Sequence, residues 1–179
     1  MLITYKSIKM KKILSLFIIA TAFTSCDNSV ESDKIAGKWL LDDSRFEKGY
    51  MAGDQKDYDL VKKFLDAYEN MDPQGMVDLS AETVKFHPAD IGGVFDVDMT
   101  NTDFIAERQS NWDSISRDYI FIMPLKMEDS KNRVVTTAFT ETRYIKDGTS
   151  ESINYYERLY INEQDKIMRV VQYSRPPND

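Results

Sequence analysis

Residues 58 to 72 read Tyr-Asp-Leu-Val-Lys-Lys-Phe-Leu-Asp-Ala-Tyr-Glu-Asn-Met-Asp. Wound at 3.6 residues per turn, this stretch puts Leu60, Val61, Phe64, Leu65, Tyr68 and Met71 on one stripe and most of the charged residues elsewhere, the pattern of an amphipathic helix. Asp72 can cap a second, short helix with Pro73 in its first turn. Glu82 to His87 is β-prone and stops at Pro88, and Ile91-Gly92-Gly93 is a turn or bulge. A third helix is expected from Thr102 as its cap, with Asp103 in the first turn and Phe104, Ile105, Trp112 and Ile115 on one side. From Tyr119 the pattern changes to strands over 119–127, 134–145, 152–162 and 166–174, joined by turn-forming stretches such as Asp147-Gly148. Pro124 suits an edge or a bulge better than a central position. Helices first and an antiparallel meander afterwards make an α+β domain.

Ahead of this order, Ile35-Ala36-Gly37-Lys38-Trp39-Leu40-Leu41 contains a Gly-x-Trp that resembles the opening of a lipocalin barrel, but the helix over 58–71 counts against a barrel. Residues 35–56 are expected to be an N-terminal extension that docks Trp39 on the main domain, 57–179. The main domain resembles the nuclear transport factor 2-like superfamily, which includes SnoaL-like cyclases and ketosteroid isomerases. Phe64-Leu65-Asp66-Ala67-Tyr68-Glu69-Asn70-Met71-Asp72, Val84-Lys85-Phe86-His87-Pro88, and Leu159-Tyr160-Ile161-Asn162 followed by Lys166-Ile167 carry the likeness, with Asp165 in place of the glycine common before that lysine. The resemblance implies a cone-shaped, curved and largely antiparallel sheet packed on about three N-terminal helices, a pocket between them, and often a homodimer across the sheet.

In 153–161, one face carries Ile153, Tyr155, Glu157, Leu159 and Ile161, while the other carries Asn154, Tyr156, Arg158 and Tyr160. Neither face is wholly polar, so the second either meets another subunit or exposes tyrosines as single sheets commonly do.

The first residues have a different character. Lys9, Lys11 and Lys12 precede an apolar stretch from Ile13 to Phe23, which is too short for the roughly 20 residues a membrane helix needs and has the make-up of a secretory signal. Thr24-Ser25-Cys26 resembles the lipobox of bacterial lipoproteins. That resemblance implies a signal peptide over 1–25, cleavage before Cys26, a diacylglycerol on its thiol, and a tether over 26–34; an ordinary signal peptide ending near a free cysteine is the alternative. Export to the cell envelope with a lipid anchor on a bacterial membrane is the expectation. From Cys26 onward, 30 acidic residues stand against 19 basic ones, a balance that repels phosphate backbones and argues against a nucleic-acid partner. One cysteine excludes an internal disulfide, so packing must hold the fold.

Few residues suggest chemistry. Zinc needs clustered Cys and His, and the chain has one of each, so no metal site is expected. Asp96-Val97-Asp98 begins like a calcium loop without its glycine and distal glutamate and is expected to be a solvated turn. No phosphate loop, dinucleotide fingerprint or nucleophile elbow occurs, and no cofactor is expected. By resemblance to the ketosteroid isomerases, His87 stands before Pro88 where the proton-transferring aspartate would be. Glu157, two before Leu159, stands where an acid donates to the substrate oxygen. Phe64 replaces the tyrosine that completes the oxyanion hole, and its missing hydroxyl weakens the case for isomerisation. His87 and Glu157 are expected to point into one cavity and exchange a proton, or else to be an ordinary strand-end histidine and a surface charge. Trp112, Tyr119 and Tyr155 are expected as further walls. Three functions fit: a pocket for a small apolar or amphipathic molecule, a cofactor-free isomerase, cyclase or hydrolase, or an envelope protein-interaction module.

Overall fold

The structure is a computed structural model, and it describes residues 34–131 and 133–177. The segment 1–25, Cys26 and nearly all of the tether lie outside the described residues. Asp33–Asp179 forms one compact unit. Its elements are β1 (Gly37–Lys38), β2 (Gly49–Ala52), α1 (Gln55–Glu69), α2 (Pro73–Leu79), β3 (Ser80–His87), β4 (Phe95–Asp98), α3 (Asp103–Gln109), β5 (Trp112–Met127), β6 (Arg133–Ile145), β7 (Ser150–Ile161) and β8 (Ile167–Arg175). The strands form one curved sheet in the order β1-β2-β5-β6-β7-β8-β3-β4. Every neighbouring pair is antiparallel except β3 with β8.

α1 buries the stripe read from its sequence: Val61, Phe64, Leu65 and Tyr68 are buried, while Leu60 and Met71 pack against the same core. Opposite them, β6, β7 and β8 supply Val135, Leu159, Ile161 and Ile167. Burying such a side chain stabilises the fold by roughly 1.5–3 kcal/mol. The chain leaves α1 through Met71 at φ 55° and enters α2 at once, with the Asp72 carboxylate accepting from Gly75 N at 2.9 Å and Pro73 at the first helical position. One aspartate thus satisfies an orphan donor where the proline has none to offer.

α3 ends at Gln109, so the expected helical stripe through Trp112 and Ile115 is corrected: both belong to β5. The error has a physical origin. The pairing of β5 with β6 shifts register between Trp112 and Ser114, and a bulge adds one residue to a period of two, so two inward side chains end up three apart, as on a helix. A second shift between Tyr119 and Phe121 turns Phe121 to the outer face while Tyr119 and Ile122 stay on the core side. β2 covers only Leu125–Met127 of β5, which leaves Pro124 where the covered part of the strand begins and no ladder donor is needed from it on that side.

The N-terminal extension is a hairpin continuing the same sheet. Trp39 packs under the Arg45 guanidinium at 3.9 Å and tilted against Tyr50 at 6.4 Å. Tyr50 links the hairpin to the main domain, its hydroxyl accepting from Arg158 Nη2 at 3.1 Å. Asp96-Val97-Asp98 is likewise a strand rather than a turn, paired with β3. Lys85 bridges to Asp96 at 3.0 Å, and hydrogen bonds from Thr100 hold the Asp98 carboxyl below its usual range.

At the far end of the sheet, buried Asp57 at the start of α1 accepts from Arg133 Nη1 at 2.8 Å. The same guanidinium reaches Asn162 O at 2.6 Å and Asp165 at 2.6 Å. Asp165 has φ 57°, a conformation that glycine adopts freely and that aspartate tolerates better than most residues. Its carboxylate joins the clamp.

Candidate functional site

A cavity of about 70 Å³ lies between the helices and the concave side of the sheet. In the same measure one water needs roughly 10–15 Å³, so the space holds several waters or part of a small organic molecule. Two kinds of wall meet there. Helices, β3 and β4 give an apolar one, from Phe64 and Tyr68 on α1 through Met76, Val84 and Val97 to Phe104 and Ile105 on α3. The inner faces of β5 to β8 give a polar one made of Arg117, Glu141, Arg143, Glu157 and Gln172, joined by Arg108 from α3.

Strand alternation places these polar groups. Thr137, Phe139, Glu141 and Arg143 share one face of β6, and register brings Arg117 of β5 opposite Glu141 and Glu157 of β7 opposite Gln172 of β8. Glu141 is 1% exposed. One of its oxygens accepts from Arg117 Nε at 2.8 Å and Nη2 at 2.5 Å, and the other from Arg143 Nε at 2.7 Å. Arg143 donates further to the Tyr155 hydroxyl at 2.7 Å and to Glu151 at 3.2 Å. Burial opposes the charge on both guanidiniums, but the groups around them, Glu141 first, with Glu157 beside Arg117 and Tyr155 beside Arg143, together outweigh it and their pKa values go up. Both arginines stay charged, and the carboxylate between them binds the pair together.

Glu157 is different. Its Oε1 accepts from Gln172 Nε2 at 2.6 Å, while among the described residues no donor reaches its Oε2. Burial pushes its carboxyl up, against the pull of Arg117. A protonated Glu157 can donate a hydrogen bond to a guest, and an ionised one can take a proton. The nearby Tyr68 hydroxyl is pushed up to about 12, chiefly by burial.

Because the folded-state pKa of Glu157 lies above the unfolded value, its contribution is fully present below about pH 4, the ordinary glutamate range, and is lost as pH rises through the folded pKa. Glu157→Gln keeps an acceptor for Gln172 and has no charge to bury. The variant is therefore expected to gain stability relative to the parent as pH rises from 4 to 8, read by urea midpoints along the series; a constant difference would mean that Glu157 titrates as it does in water.

The structure separates the two residues expected to act together. Phe86 and Val170 line the cavity and pair with each other, whereas His87 pairs with Val171 one step along, so the His87 side chain lies on the opposite face of the sheet. Burial, then Arg169 and Lys85, lower the pKa of its imidazole. The shared His87 and Glu157 site is thus corrected: Glu157 faces the cavity and His87 does not. Phe64 is on the wall. Trp112, Tyr119 and Tyr155 stand one layer behind it. Trp112 lies under the Arg143 guanidinium at 4.5 Å and edge-on to Tyr68 at 6.3 Å, Tyr155 holds Arg143 through its hydroxyl, and Tyr119 packs on Phe139 at 5.6 Å.

The triad of Arg117, Glu141 and Arg143 escaped the reading of the sequence. Its signal was a phase: in β6 the charges at 141 and 143 fall in step with Phe139, so they belong to the buried face. Among the described residues, no group of three or more His, Cys, Asp or Glu side chains is placed to hold a metal ion.

No family model and no curated protein sequence matches this chain. Its fold does match solved structures. A nuclear transport factor 2-like protein from Exiguobacterium superposes with a TM-score of 0.53 at 11% identity, over 65% of this chain and 98% of that one. AusH from Aspergillus nidulans gives 0.55 at 11% identity, over 71% and 88%, and an LEH-like epoxide hydrolase from M. tuberculosis gives 0.52 at 12%, over 67% and 83%.

Proposed function

Starting from a nuclear transport factor 2-like fold, we propose that this protein is an exported, lipid-anchored receptor for a small amphipathic molecule. The observation that carries the reading is a cavity with an apolar wall facing a polar one, where one oxygen of Glu157 has no hydrogen-bond partner among the described residues. Sites for small molecules are concave and mostly apolar, with a few placed polar groups that fix orientation. Phe64, which presents a ring and no hydroxyl, favours binding over turnover. A second reading, acid–base catalysis, is favoured by the raised pKa of Glu157 and by the hydrolase among the structural neighbours. Without His87 it would fall to Glu157 alone.

The anchor is Cys26. Acyl chains contribute about 0.8 kcal/mol per buried CH2, and more than one is needed for stable attachment. No helix among the described residues is long and apolar enough to cross a membrane. The outer face of the sheet, where Ile120, Tyr156 and Tyr173 are exposed and Tyr156 packs against Phe121 at 6.4 Å and Tyr173 at 6.3 Å, would bury its aromatic surface against a second copy.

Native mass spectrometry of the protein extracted from membranes reads all three features. The expected spectrum shows a dimer, an acylated N-terminal Cys26, and one small organic molecule per subunit that leaves on denaturation. A bare protein that takes up nothing from a membrane extract would remove the receptor reading; an unmodified chain beginning upstream of Cys26 would remove the anchor.

A further inference from the structure

The charges on the cavity's polar wall do not cancel. Arg108, Arg117 and Arg143 face Glu141 and Glu157, so positive charge is in excess in a chain whose net charge is −7. Two of the three guanidiniums are committed: Arg117 and Arg143 share Glu141. Arg108 is the third, and among the described residues it makes no hydrogen bond or ion pair. It sits on α3 beside the cavity residues Phe104 and Ile105, its guanidinium 5.6 Å from the centre of the Phe86 ring. Its charge is felt at Glu157, Tyr68 and Tyr155, so it lies within electrostatic reach of the polar end of the cavity. A guanidinium is planar, always charged and shaped to take a carboxylate through two parallel hydrogen bonds.

We propose that the molecule held in this cavity is a monoanion, an amphipathic carboxylic acid whose carboxylate is taken by Arg108 and whose apolar body lies along Phe86, Val84, Val97 and Ile105. This rests on the receptor reading above and specifies its ligand. With Glu157 protonated, Glu141 and the Glu151 carboxylate on Arg143 offset two of the three guanidiniums; the one surplus positive charge matches a singly charged head group, whereas a phosphate ester with two charges would leave an anion unmatched in a partly desolvated site. The unpartnered Oε2 of Glu157 adds to the same end of the cavity. As an acid it donates an O–H to a carboxylate oxygen, the short, charge-assisted kind of hydrogen bond, whereas an ionised Glu157 would repel the anion. Binding should therefore weaken as pH rises through the titration of Glu157. The groups facing that carboxyl are Gln172, Arg117, Glu141 and Arg108.

The test uses hexanoate and 1-hexanol, which share an apolar chain and differ in the charge of the head, titrated calorimetrically into the protein and its Arg108→Gln variant. Wild type is expected to bind hexanoate at least about tenfold more tightly than hexanol, the scale of one hydrogen bond to a charged group. Arg108→Gln should remove that preference, bringing the hexanoate and hexanol affinities of the variant to within about twofold of each other. Equal affinities in the wild type, or a preference that survives in Arg108→Gln, would overturn the proposal and leave the receptor reading standing. Binding of neither compound would count against both.

Discussion

Glu141→Ala is expected to lose about 3–5 kcal/mol of folding stability, the cost of leaving buried charge without its partner. Domains of this size are stable by about 5–15 kcal/mol in all, so the loss takes a large fraction and the variant should unfold at far lower urea. The reason is the position of Glu141 between two arginines, with each carboxylate oxygen committed to one of them. Removing it leaves the buried guanidiniums of Arg117 and Arg143 side by side without the carboxylate between them. A second variant separates charge from shape: replacing Arg117, Glu141 and Arg143 together by apolar residues of similar volume should recover most of the loss, because an ion cluster and a packed apolar core of equal size are often nearly equivalent in stability. A loss under about 1 kcal/mol for Glu141→Ala would mean that the triad behaves as a surface pair.

Arg133→Ala should cost about 3 kcal/mol at neutral pH, by the same physics at the other end of the sheet. Arg133 is the partner of buried Asp57, of Asp165 and of Asn162 O, so its loss unpairs Asp57, leaves Asn162 O with Asp165 N and Asp165 with Lys56, and weakens the link between the start of α1 and the β7–β8 turn. The effect should depend on pH. Burial already raises the Asp57 pKa, with Arg133 pulling the other way; without Arg133 it rises further. Below about pH 3.9, the ordinary aspartate value, Asp57 is neutral in folded and unfolded chains alike, and its share of the penalty vanishes. As pH rises through the folded pKa, stability is lost. The gap between wild type and variant should therefore be narrowest in acid and widest at neutral pH, measured by chemical denaturation across the range. Asp57→Asn in the Arg133→Ala background should restore part of the loss. A gap independent of pH would show that Asp57 carries none of it.

Residues whose surroundings are set by their own element were legible in the sequence. The stripe of α1, the Asp72 and Pro73 start of α2, and the alternation that sends Tyr155, Glu157, Leu159 and Ile161 inward all follow from local periodicity, and the structure has them. His87 was misread against information present in the same strand. If Val84 and Phe86 face the core, a period of two sends His87 outward. Trp112 and Ile115 were misread because a bulge copied helical spacing. Arg117, Glu141 and Arg143 were missed because a charge in a strand is ordinarily solvated, and only the register between β5 and β6 shows that three of them meet. Arg108 reads from sequence as the basic end of a short helix; that it lines a cavity depends on how α3 packs across the sheet.

The central claim, that the cavity is a receptor site, is tested most directly by methyl NMR on the protein titrated with 1-hexanol. Val84, Val97, Ile105 and Val170 line the cavity, while Val135 and Ile161 are buried in the same core without lining it. The methyl resonances of the first four are expected to shift saturably together, with Val135 and Ile161 nearly still. Shifts that stay linear in hexanol and spread over exposed Ile35, Leu40 and Ile120, or no shift at the four lining residues, would contradict it.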